Sequence, residues 1–106
     1  MNHETFVALA AKRFQACHDI LASKSKEYSR SGDKLHNFRR ASALLGCSPE
    51  KALVGMMSKH IVSVLDIVDD IEAGGLPDEV LVSEKIGDLM NYSVLLEALI
   101  TDRRQA

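Results

Sequence analysis

This sequence predicts an all-α, four-helix bundle-like domain, and three observations carry the prediction. Apolar residues return every three or four positions over long stretches, strong start and stop signals separate those stretches, and no alternating run is long enough for a strand. At 106 residues the chain is expected to form a single domain spanning 1–106, large enough to hold a core of its own. Hydrophobic residues make up 46% of the chain and aromatic residues only 5%, so the interior is aliphatic.

The first helix is expected from about residue 4 into the middle twenties, because Phe6, Ala10, Phe14, Cys17 and Leu21 follow one another at steps of four, four, three and four. Ser-Arg-Ser-Gly-Asp at 29–33 breaks it. Asp33 is placed to N-cap a second helix carrying Leu35, Phe38, Ala41 and Leu45, and Gly46 closes that helix. Ser48-Pro49-Glu50 then supplies a capping hydroxyl, a proline at the first helical position and an acid in the first turn. The third helix buries Leu53, Met57, His60 or Ile61, Val64, Val68 and Ile71, and ends at Gly74-Gly75. After Leu76-Pro77 comes the last helical stretch, in one piece or two, with Ile86, Leu89, Met90, Leu96 and Ile100 as its apolar set. The apolar surface is generous for the length and aromatic anchors are few, which points to pairing with a second copy in a homo-oligomer.

Composition excludes several classes. No apolar run approaches the length of a membrane span, and the N-terminal residues lack the basic-then-apolar layout of a secretory signal, so a cytoplasmic protein without membrane contact is expected. Cys17 and Cys47 stand far apart with no CxxC spacing, as buried free thiols do. The net charge is −2, but its distribution is uneven. Residues 24–40 hold six Lys or Arg against two acids, while 66–84 hold seven acids and no Lys or Arg. Either the two regions attract each other, or a basic corner receives phosphates while carboxylates hold a divalent cation. Nucleic-acid binding ranks lowest, because that acidic stretch would be repelled by a duplex.

The candidate functional residues lie at both ends of the chain. Continued by steps of three and four, the stripe of the first helix reaches Lys24 and Tyr28, so Lys24 faces the core side. An inward ammonium needs an anion: Glu27 three residues on is one partner, a ligand phosphate is the other. Asp33 reads first as a cap. Asn37, beside the apolar Phe38, has to find hydrogen bonds or stay exposed, and has the chemistry to orient a base or sugar. Lys59, Ser63, Asp66 and Asp70 share a face opposite most of the apolar stripe, as a solvated surface does. His60 sits at the stripe's edge, as a satisfied core histidine or as a general base or ligand. On the last helix Glu84, Asp88 and Tyr92 succeed one another at steps of four, lining one face with two carboxylates and a phenol. Carboxylates a turn apart repel unless a cation sits between them, and Mg²⁺, Lys24 or Lys59 would each serve.

The ordered set Lys24-x-x-Glu27-Tyr28, Asp33-x-Leu35-x-Asn37-Phe38, Met57-x-Lys59-His60 and Glu84-Lys85-Ile86-Gly87-Asp88-x-x-Asn91-Tyr92 resembles small phage and prophage proteins. Those proteins look like distant relatives of the MazG-type all-α nucleotide pyrophosphohydrolases and of phage nucleotide-modification-associated domains. The resemblance covers about residues 20 to 100. It implies a helical, usually oligomeric, MazG-like domain that handles nucleotides, with Mg²⁺ held by helix carboxylates in the catalytic members. There an activated water attacks a phosphate and pyrophosphate leaves. Carried onto this chain, Glu84, Asp88 and Glu27 are the expected metal ligands, with His60 beside Glu84 and Asp88 in the catalytic group. Lys24, Glu27, Tyr28, Asp33, Asn37, Phe38, Lys59 and Tyr92 are the expected ligand contacts. Two features depart from the pattern: Met57-Ser58-Lys59-His60 stands where a glutamate-rich EExxE is looked for, and Lys85 stands where a second glutamate would be. Three functions remain in play: a Mg²⁺-dependent nucleoside triphosphate pyrophosphohydrolase, a non-catalytic protein that binds or sequesters a nucleotide or signalling nucleotide, and a structural or interaction module.

Overall fold

In a computed structural model, which describes residues 1–28 and 33–105 and no side chain of 24–28, four α-helices are formed among the described residues. They are α1 (His3–Tyr28), α2 (His36–Leu45), α3 (Pro49–Glu72) and α4 (Glu79–Gln105). Local signals set most of the boundaries. The Asn2 side chain accepts a hydrogen bond from the Thr5 N–H at 2.8 Å and starts α1. Ser48 Oγ accepts from the Lys51 N–H at 3.1 Å, and Pro49 gives up an N–H that the first turn does not use. Gly46 ends α2 in the left-handed region at φ 69°, where a Cβ would be strained.

One boundary differs from the sequence reading. Asp33 does not cap α2: that helix begins at His36, and Asp33 Oδ1 instead accepts the Leu35 N–H at 3.0 Å in the turn before it. The Asx-type turn satisfies the backbone two residues early, so the helix starts late. Of the two forms open for the last stretch, the structure has the single one, a helix of 27 residues.

Helices α3 and α4 form an antiparallel hairpin and make the most extensive packing, α2 lies across α3, and α1 packs on α4. The hairpin's register can be read from two contacts. Arg103 Nε and Nη2 donate to Glu50 Oε1 and Oε2, each at 2.8 Å, and His60 stacks on Tyr92. Ten residues up α3 are thus matched by eleven down α4. The core gathers Leu35, Phe38, Leu53 and Leu99, of which Leu53 is fully buried, with Met56, Met57, Tyr92, Leu95, Leu96 and Ala98 packed around them. At its edge Arg39 donates to both Asp33 and Asp102, tying the start of α2 to the end of α4.

Helix α1 is attached differently. Arg13 lies over Gly87 and donates to Ser83 Oγ. A Cβ at position 87 would stand 2.7 Å from the Arg13 guanidinium nitrogen, so only glycine leaves room for the side chain as placed. Cys17 is buried, whereas Phe6 and Phe14, expected on the same stripe, are exposed. None of the helices is long and apolar enough to cross a membrane, among the described residues.

Candidate functional site

The face that α4 turns inward runs along Gly87, Asn91, Leu95 and Leu99. Toward the C-terminal end this line is apolar and meets Leu53. Toward the middle it becomes polar, and there α3 contributes His60. His60 Nδ1 lies 3.5 Å from Asp88 Oδ2, with both side chains largely shielded from solvent. The His60 ring stacks at a tilt on Tyr92, with centroids 4.8 Å apart, and Phe38 of α2 meets Tyr92 edge-on at 6.5 Å. One histidine, one carboxylate and two aromatic rings from three helices therefore share a single seam.

Asn91 lies one turn from Gly87 on α4 and three residues from Asp88. It is 7% exposed, and its Oδ1 has no hydrogen-bond partner, the one such buried side-chain atom among the described residues. An orphaned buried amide oxygen costs about 1–3 kcal/mol, so an incoming donor would be stabilised there. His60 turns Nδ1 toward Asp88, and its second ring nitrogen, Nε2, can donate or accept.

The expected site residues divide into groups. His60, Asp88, Tyr92 and Phe38 are brought together. Glu84 is one turn up α4, mostly exposed, with Lys85 Nζ 3.9 Å from its Oε1. Asn37 and Lys59 are exposed, and the Lys59 carbonyl accepts from Ser63 Oγ within α3. Asp33 serves Arg39 and the Leu35 N–H. The Arg39 guanidinium first, and that N–H second, hold its carboxyl below the usual aspartate range. The side chains of Lys24, Glu27 and Tyr28 lie outside the described residues. The Lys24 backbone stands eleven residues beyond Arg13, about 16 Å along α1.

Of the three expected Mg²⁺ ligands, Glu84 and Asp88 are described and the Glu27 side chain is not. Asp88 faces His60, Glu84 faces Lys85, and no three His, Cys, Asp or Glu side chains gather tightly enough for a metal among the described residues. Two shallow clefts lie elsewhere. One of about 490 Å³ is bounded by Leu45, Cys47, Lys51 and Met56, and one of about 400 Å³ by Leu35, Val94, Thr101 and Asp102.

Sequence reasoning missed Asn91 as a site residue, although its motif contained it, along with Gly87 and Arg13. A glycine inside a long helix costs about 1 kcal/mol against alanine, and that cost was the available signal for a close approach at position 87. No family model, curated protein or solved structure matches this chain.

Proposed function

We propose that this chain binds a nucleotide or nucleotide-derived small molecule at the polar middle of the α3–α4 seam, without hydrolysing it. The carrying observation is the buried, unpartnered Asn91 Oδ1 beside the His60–Asp88 contact. An amide oxygen of that kind takes an exocyclic amine, the His60–Asp88 pair takes a second polar edge, and the half-buried Tyr92 ring offers aromatic surface for a base. The resemblance to MazG-type and phage nucleotide-modification proteins points the same way, and so does its implication of a homo-oligomer. Binding is preferred over Mg²⁺-dependent hydrolysis because the described carboxylates are engaged by His60 and Lys85 rather than by one another.

Calorimetry with nucleoside triphosphates and with cyclic and linear dinucleotides, in Mg²⁺ and in EDTA, tests the reading, with pyrophosphate release assayed in parallel. Binding indifferent to EDTA, without product, is expected. Asn91→Leu and Asp88→Asn should each weaken it at least tenfold, the loss of one buried polar partner being worth about 1.4 kcal/mol or more. Pyrophosphate release that depends on Mg²⁺ would replace binding with hydrolysis. Silence across the panel from a folded protein would leave an interaction module.

A further inference from the structure

Helix α1 brings a cation to α4 that no carboxylate neutralises. Arg13 is half-buried, and its guanidinium lies over Gly87 and donates to the Ser83 hydroxyl. That partner is neutral. Among the described residues no carboxylate stands within ion-pair distance of Arg13, whereas Arg39, the other half-buried arginine among them, is held between Asp33 and Asp102. A half-buried guanidinium without a counter-ion is costly, and its planar fork of five donors matches the oxygens of a phosphate.

This cation stands beside the polar middle of the seam. Asn91 lies one turn, about 6 Å, along α4 from Gly87. Around the helix it is about 40° from Gly87 and, to the other side, about 60° from Asp88. Arg13 of α1 and His60 of α3 therefore flank Asn91, whose buried Oδ1 has no partner. The guanidinium is the far end of a flexible side chain resting on bare backbone, so it can turn toward an incoming anion. Ser83 Oγ accepts from Arg13 and keeps its own proton to donate.

We infer that Arg13 receives the phosphate of the ligand whose base the seam holds, with Ser83 Oγ donating a second hydrogen bond to it. This rests on the ligand proposal above and names the residue at the ligand's anionic end. A donor at Asn91 and an anion at Arg13 stand about one helical turn or more apart. A nucleoside phosphate carries an amine and a phosphoryl group on one small frame and meets both; a nucleoside meets only the first. Lys59, expected from the sequence as a ligand contact, is exposed on α3 and is not needed for this contact.

Calorimetry on the full chain in EDTA, with ATP, CTP and GTP each set against its own nucleoside and with inorganic tripolyphosphate, tests the inference. At least one triphosphate should bind about 10- to 100-fold tighter than its nucleoside, the effect of hydrogen bonds to a charged group. Arg13→Gln should remove most of that ratio and leave the nucleoside's affinity within about twofold. Arg13→Lys, which keeps the charge, should restore part of it. Lys12→Gln, an exposed neighbour on α1, should leave the ratio unchanged. Tripolyphosphate should bind the wild-type chain and not Arg13→Gln. If Arg13→Gln weakens nucleoside and triphosphate by the same factor, Arg13 only seats α1 and the inference is overturned. A wild-type chain that binds a nucleoside as tightly as its triphosphate also overturns it, and leaves the ligand proposal standing. Should Arg13→Gln fail to fold, that wild-type comparison decides. Tripolyphosphate binding that is lost in Arg13→Gln, with no nucleoside bound, keeps Arg13 as an anion site and removes the base from the seam. Silence from every probe overturns both.

Discussion

The two ends of the α3–α4 seam are built on opposite terms. Near the C-terminus of α4, Leu53 and Leu99 meet in a dry contact and the Glu50–Arg103 pair brackets it from outside. Two to three turns away the same helices face each other through His60, Asp88 and Asn91, with one amide oxygen left unpaired. The first region stabilises the hairpin, and the second costs it stability. A fold this small gives up little without return, so the costly region is where function is sought.

Substitutions sharpen the contrast. Leu53→Ala, at the fully buried position of the dry end, should cost about 2–5 kcal/mol in urea unfolding, the largest effect of the set. If the loss were under about 1 kcal/mol, the dry end would not be the stabilising one. Asn91→Leu should move the other way, gaining about 1–3 kcal/mol by replacing an unsatisfied amide with a side chain of similar size. A lower melting temperature in that variant would mean that Asn91 already has the partner it lacks here. The smallest effect is a pH dependence. The Arg103 guanidinium holds the Glu50 carboxyl down to about 2, from an ordinary 4.5. A lowered carboxyl adds stability above its ordinary value and loses it as pH falls toward the folded one. Arg39 lowers Asp33 in the same direction. Stability should therefore drop between pH 4.5 and about 2, and Glu50→Gln should flatten part of that drop in melts taken across the window.

Much of the fold was legible because its signals are local. Ser48-Pro49-Glu50 and Gly46 act through their own turns, and the boundaries of α3 and the end of α2 fall where they say. Once the turn after Glu72 is located, the hairpin's register follows, and it carries His60 to Asp88 and Tyr92. The inner line of α4 was not legible, because Gly87 and Asn91 occupy half of it and neither is apolar. Periodicity found Ile86, Leu89, Met90, Leu96 and Ile100 instead, which flank that line. Phe6 and Phe14 keep helical spacing, but spacing cannot say whether the cover comes from the same chain. The residues of the candidate site were half visible: titratable and aromatic side chains advertise themselves, whereas a buried amide shows its meaning only once its surroundings are known.

The Arg13 contact at Gly87 ties two positions that are 74 places apart in the sequence. The arginine rests on bare backbone at position 87, and a methyl group there would oblige the guanidinium end to shift. In sister sequences the two should be inherited together or lost together, a written trace of α1 docking that would be visible without any further coordinates.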